Sequence, residues 1–154
     1  MRLLVVLIVL GMALSPVFFV VPVLGLGQQR SVYATRAEAV ADGAIERGWV
    51  PGFVPADATG IREAHNVEDA FVTVSFRAPG ARVVEGFRPV AAAHQPEALQ
   101  MMRSVRFPGA RPGRDVSITY RCEQDGVGLL AHDLRRQRYF FAGPFPHTSL
   151  CVAH

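Results

Sequence analysis

Hydrophobic and polar positions divide this chain sharply. From Leu3 to Gly27 nothing charged interrupts an apolar run, and beyond it apolar residues return only in short periodic groups. A hydrocarbon core about 30 Å thick is crossed by about 20 apolar residues in a helix, so the run predicts one N-terminal transmembrane helix. Pro16 is expected to kink it and Pro22 to lie near its exit. The rival reading is a cleaved secretory signal, with Arg2 as its charged start and small residues at Gly25-Leu26-Gly27 and Val32-Tyr33-Ala34. The run exceeds the roughly 7 to 15 residues of a signal's apolar region, which favours an anchor. Cys122 is the first cysteine, which excludes a lipid-modified cysteine after the run. The expected division is an anchor over 1–30 and a single globular domain over 31–154. A short basic start feeding a long apolar segment reads as start-transfer. The sequence therefore predicts a single-pass protein of the inner membrane with its domain on the periplasmic side, and the lipid bilayer as partner through residues 3–27.

Beyond the run, Thr35-Arg-Ala-Glu38 has capping-box spacing, and Val40, Ala41, Ala44 and Ile45 then recur on one face. A helix is predicted from Thr35 to about Arg47, with Gly48 as its left-handed C-terminal residue. The segment from Trp49 to Pro55 reads as an ordered loop in which Trp49 is a packing anchor. Strands are predicted over 61–67 and 70–77, the second with Val72, Val74 and Phe76 on one face. A short helix starts at Pro96, with Leu99 and Met102 inward. Three further strands, 116–123, 127–134 and 138–142, form an antiparallel meander. With no repeated βαβ order, the predicted class is α+β: a mainly antiparallel sheet with the Thr35 and Pro96 helices on one of its faces.

The segment GAIERGWVPGFVPADATGIREAHNVED, with its Gly-Trp-x-Pro core, resembles one shared by an uncharacterised family of small bacterial membrane-anchored or lipoprotein-like proteins. The resemblance covers roughly residues 37–78. It implies a compact exported domain in which helix, tryptophan loop and following strand pack together, and it carries no activity and no catalytic residue.

Composition changes this picture little. The formal net charge is +3, yet all 16 basic side chains are arginine, the mark of a GC-rich genome. Arginines at 103, 106, 111, 114 and 121, and again at 135, 136 and 138, are not regularly interleaved with aromatic residues as stacking platforms require, so they read as a solvated loop and turn and no nucleic-acid partner is predicted. His65, His94, His132, His147 and His154 lack metal-ligand spacing, and no phosphate-binding or nucleotide-binding glycine motif occurs. No metal, cofactor or catalytic residue is assigned. His65 and His132 read as core histidines. The reading is a membrane-tethered envelope domain that binds an envelope partner or serves as structure, and the alternative is a small envelope hydrolase or metal-dependent enzyme using His65 or His132 with a nearby carboxylate. Cys122 and Cys151, the only cysteines, are predicted to form a disulfide in an oxidising compartment.

Overall fold

The computed structural model describes residues 27–66, 68, 70–80, 84–105, 116–146 and 149–152. The sequence-predicted membrane segment lies outside these residues but for Gly27. No helix among the described residues is long and apolar enough to cross a membrane.

The described elements are β1 (Gln28–Thr35), α1 (Arg36–Ala41), β2 (Thr59–Asn66), β3 (Val72–Arg77), β4 (Arg88–Pro89), a 3-10 turn (Ala92–His94), α2 (Gln95–Ser104), β5 (Val116–Glu123), β6 (Gly126–Asp133), β7 (Arg138–Phe145) and α3 (Ser149–Val152). The strands form one seven-stranded sheet in the order β1-β2-β3-β7-β6-β5-β4, and every pairing is antiparallel. The expected α+β class is thereby corrected. Among the described residues the structure is mainly a single antiparallel sheet carrying three short helices of 6, 10 and 4 residues.

The helix predicted to run to Arg47 shows why. Its capping box forms: Thr35 Oγ1 accepts from the Glu38 N–H, and Glu38 Oε2 accepts from the Ala34 N–H at 2.7 Å. Gly43 then turns left-handed at φ 72°, and the Ala44 and Gly43 N–H groups donate back to Ala39 and Val40. That is a Schellman ending one turn early. Gly48, at φ 76°, repeats it with Trp49 donating to Ala44 and Gly48 to Ile45. Two successive left-handed glycines thus fold the predicted helix into two compact turns that point Val50 and Val54 at the sheet. Strand β1 has no counterpart in the sequence reading, because Tyr33 is its only buried residue and an edge strand with one inward side chain shows no alternation.

The helices do not share a face, a second correction. On β7, Tyr139 and Phe141 join one core while Phe140 and Ala142 join another, because successive side chains point to opposite sides of a strand. On the loop face, Ala39, Ala44, Val50, Val54 and Ala58 pack over Ile61, Val74, Phe76, Tyr139 and Phe141. On the helix face, Ala98 and Met102 of α2 and Leu150 of α3 pack over Ile118, Leu129, Ala131 and Phe140. The connections from β1 and from β4 leave the sheet on opposite sides, so each core has its own cover.

Candidate binding cleft

Strand β5 alternates so that Ile118 and Tyr120 enter the helix-face core, which leaves Thr119, Arg121 and Glu123 on the loop face. Arg121 and Glu123 meet there: Glu123 Oε1 accepts from Arg121 Nε at 2.9 Å and also from Nη2. The guanidinium lies 5.4 Å from the ring of Phe53 and 5.1 Å from that of Phe87, within cation–π range. Phe53 in turn sets its edge against Phe87 at 5.0 Å and Phe141 at 5.1 Å. Gly128, opposite Arg121 on β6, leaves room for Phe141, whose ring lies 2.8 Å from where a Cβ on Gly128 would stand.

Two concavities open on either side of this arrangement and share Phe53 and Arg121 as their common wall. The larger, about 530 Å³, is bounded by Phe53, Pro55, Phe76, Val84, Glu85 and Tyr139. The smaller, about 340 Å³, runs from Pro51 and Gly52 to Phe141 and Pro144. Together they form a cleft between the tryptophan loop and the sheet, with aromatic walls and one ion pair across its waist. The larger of the two is mainly apolar with few placed polar groups, the usual form of a ligand site. The sequence does not announce this setting, because Tyr120, the ring beside Arg121 in the chain, enters the other core and the rings that flank the guanidinium come from the loop and from the segment before β4.

Toward β1 the same face carries a column of stacked side chains. Arg47 lies 3.9 Å above the ring of Trp49, and Trp49 stacks on His65 with centroids 4.1 Å apart. His65 Nδ1 stands 2.9 Å from Glu63 Oε2, with their side chains 2% and 0% exposed. Glu63 Oε1 and His65 Nε2 are buried without a hydrogen-bond partner among the described residues. Trp49 itself is half-buried and packs against the loop-face core. Beside this column, Asp42 accepts from the Tyr33 hydroxyl at 2.8 Å and from Arg47 Nη2 at 3.0 Å. Burial first, and then the Asp42 and Glu63 carboxylates, raise the Tyr33 phenol above its ordinary range against an opposing hydrogen bond from Ser31, so Tyr33 serves as a neutral donor.

His132 stacks on Tyr139 at 4.0 Å, and Tyr139 stacks on Phe76 at 5.0 Å. Burial holds the His132 imidazole below its usual pKa, against a weaker upward pull from Asp133. His65 lies on β2 opposite Val72, whereas His132 lies on β6 opposite Tyr139, which itself pairs with Phe76 at the far end of β3. The two histidines considered as bases are therefore not brought together. A contact absent from the sequence reading appears elsewhere: Ser149 Oγ is 3.1 Å from His94 Nδ1 and donates to Glu97 Oε2. The carboxylate touches the serine directly and stands 3.8 Å from that same ring nitrogen, so it does not orient the imidazole from its far side as a catalytic triad does. This contact fastens α3 to α2. The same helix is held by the disulfide joining Cys122 and Cys151, whose Cα atoms are 5.8 Å apart. Among the described residues no group of three or more His, Cys, Asp or Glu side chains could hold a metal ion. His147, His154 and the arginines at 106, 111 and 114 lie outside the described residues.

Over residues 27–77 the chain is similar to the YbbD head domain. This stretch overlaps the segment 37–78 that carries the sequence resemblance, and it spans β1, α1, the tryptophan loop, β2 and β3. It holds the Arg47–Trp49–His65–Glu63 column and the Phe53 wall of the cleft, whereas Arg121 and Glu123 fall beyond it. Comparison with curated proteins and with solved structures gives no match.

Proposed function

We propose that this protein is a binding domain of the cell envelope, held at the inner membrane by the apolar segment 3–27 and using the loop-face cleft to take up an apolar peptide segment from an envelope partner. The observation that supports this is the Arg121–Glu123 pair set between phenylalanine rings. A paired guanidinium and carboxylate present donors and an acceptor with no net charge. They suit the carbonyls and N–H groups of a chain, while the partly exposed Phe53, Pro55 and Val84 suit its side chains. The uncharged run from Leu3 to Gly27 supports the tether, and the likeness to a head domain over 27–77 supports reading the exported part as a domain in its own right.

The test is a photo-cross-linking residue in place of Glu85, at the rim of the larger concavity, in the full-length protein in intact membranes. A discrete adduct that disappears on Arg121→Ala is the expected result. An adduct insensitive to Arg121→Ala, or equally strong from a probe at exposed Arg103 of α2 on the other face of the sheet, refutes the cleft as the binding site.

A further inference from the structure

The helix face of the sheet is covered over only part of its width. Helices α2 and α3 pack on β5, β6 and β7, whereas among the described residues no helix covers this face of β1, β2 and β3. The pairing register places Val32 beside Arg62, Arg62 beside Ser75, and Ser75 beside Phe140 of the helix-face core, which fixes the side to which these residues point. By the same alternation Arg30, Arg62, Arg77 and Arg138 share the bare half-face with Thr73 and Ser75. Arg138 Nη2 donates to Ser75 Oγ at 3.4 Å. Arg30, Arg62 and Arg77 are exposed, and Val32, at the centre of the edge strand, is 70% exposed.

On β1, β2 and β3 this half-face carries only positive charge, and the carboxylate beside it is that of Asp133, opposite Arg138 in the β6–β7 pairing. No acidic residue of β1, β2 or β3 points to it, and Glu63 points to the loop face, where His65 and Trp49 cover it. Asp133, at the border on β6, is held by the Arg136 N–H at 3.0 Å and its guanidinium at 3.5 Å. None of Arg30, Arg62 and Arg77 has a carboxylate partner among the described residues. Strand β1 begins at Gln28, directly after the apolar run ends at Gly27, so Arg30 and Val32 lie within about 20 Å of the point where that run ends, at about 3.3 Å per residue.

We propose that this half-face is the surface by which the domain lies against the bilayer, with Arg30, Arg62, Arg77 and Arg138 on anionic phospholipid headgroups and Val32 at the interface. This rests on the reading of segment 3–27 as a membrane tether. Four guanidiniums around an exposed aliphatic side chain match a surface of phosphates over hydrocarbon. The tether presents that surface to the edge strand without an intervening linker. The cleft, on the opposite face, is then turned away from the membrane and toward a partner. Each arginine brought to an anionic surface shifts the balance between docked and free domain by about five-fold.

The test uses the full-length chain carrying Val32→Cys with an environment-sensitive fluorophore. It is reconstituted in vesicles of phosphatidylcholine and phosphatidylglycerol in equal parts, or of phosphatidylcholine alone, each with a lipid-borne quencher. The expected result is quenching in the mixed vesicles that is lost in phosphatidylcholine, lost in molar salt, and weakened on the order of a hundred-fold in docking by Arg30→Gln, Arg62→Gln and Arg77→Gln together. A probe at Glu46→Cys, outside this half-face, stays unquenched throughout. Equal quenching of both probes, no dependence on phosphatidylglycerol, or a cross-link between two Val32→Cys chains in place of quenching overturns the proposal. Alkaline carbonate extraction of the same vesicles reads the tether separately. If the chain is released, the soluble labelled chain is mixed with the two kinds of vesicle, and absence of phosphatidylglycerol-dependent quenching again overturns the docking surface.

Discussion

The Glu63–His65 pair is the most consequential polar feature of the loop-face core, and its replacement makes a sharp test of how that core is held together. Both side chains are essentially without solvent contact and share one short hydrogen bond, and each keeps a second polar atom, Oε1 or Nε2, buried and unpartnered. Truncating one member strands the other: Glu63→Leu leaves the imidazole without its acceptor, and His65→Leu leaves a buried carboxylate. Breaking a buried pair in this way costs about 3 to 5 kcal/mol. Replacing both removes the two orphaned atoms as well, each of which costs about 1 to 3 kcal/mol as it stands. The double variant is therefore expected to fall within about 1 kcal/mol of wild type, far from the sum of the single changes. Urea unfolding of the full-length protein in mild detergent measures all three. Trp49, the only tryptophan, stacks on His65 and reports unfolding by its own fluorescence. Single effects that add to within about 0.5 kcal/mol, the behaviour of independent sites, refute the reasoning and make the two residues separate fillers of the core.

Two further outcomes follow from named groups. His132 binds its proton less readily in the folded protein than in the unfolded chain, because burial lowers its pKa; stability is therefore complete above about pH 6.5, the unfolded value, and falls as the pH drops below it until the folded imidazole also titrates. His132→Phe removes this part of the pH dependence of the urea midpoint between pH 8 and 5, and an unchanged slope contradicts the assignment. The Cys122–Cys151 bridge, with its sequence separation of 29, closes a loop worth about 3.5 kcal/mol in chain entropy; reduction lowers the urea midpoint accordingly, and alkylation without reductant followed by mass measurement gives two blocked thiols only if the bridge is absent.

What the sequence revealed divides along the line between local and distant causes. The capping box at Thr35, the left-handed Gly48 and the alternation of Val116–Glu123 depend on neighbours a few residues away, and all three appear where the pattern places them. Gly43 carried the same signal as Gly48, yet an apolar periodicity continuing past it to Ile45 masked the helix end. Strand β1 owes its conformation to pairing with β2 through seven register positions, which its own polar residues do not announce. The cleft was still less legible. Arg121 and Glu123 stand out only as the polar side of a strand, and the rings that surround the guanidinium lie 34 residues or more before it in the chain, at Phe87 and Phe53. Likewise the bare arginine half-face depends on which side of the sheet α2 takes, a choice made by packing and not by α2's own sequence.

The order of the strands also explains how the part similar to a head domain depends on the rest of the chain. The similarity ends at Arg77, on the last residue of β3, but the neighbour of β3 on its far side is β7, not the next strand in sequence. Without β7, the inner edge of β3 presents a row of unpaired backbone groups. Val72, Val74 and Phe76 also lose Leu130, Tyr139 and Phe141, which complete their core. Strand β6 is buried on both faces through Ala131 and His132, so the meander is the centre of the sheet and not an appendage to it. The C-terminal part thus closes the hydrophobic core that β1, β2 and β3 begin, and through Arg121 and Glu123 it supplies the polar waist of the cleft whose loop wall the earlier part contributes. The cleft therefore takes its walls from both parts of the sheet, and Arg121 faces a wall that lies within the segment similar to the head domain.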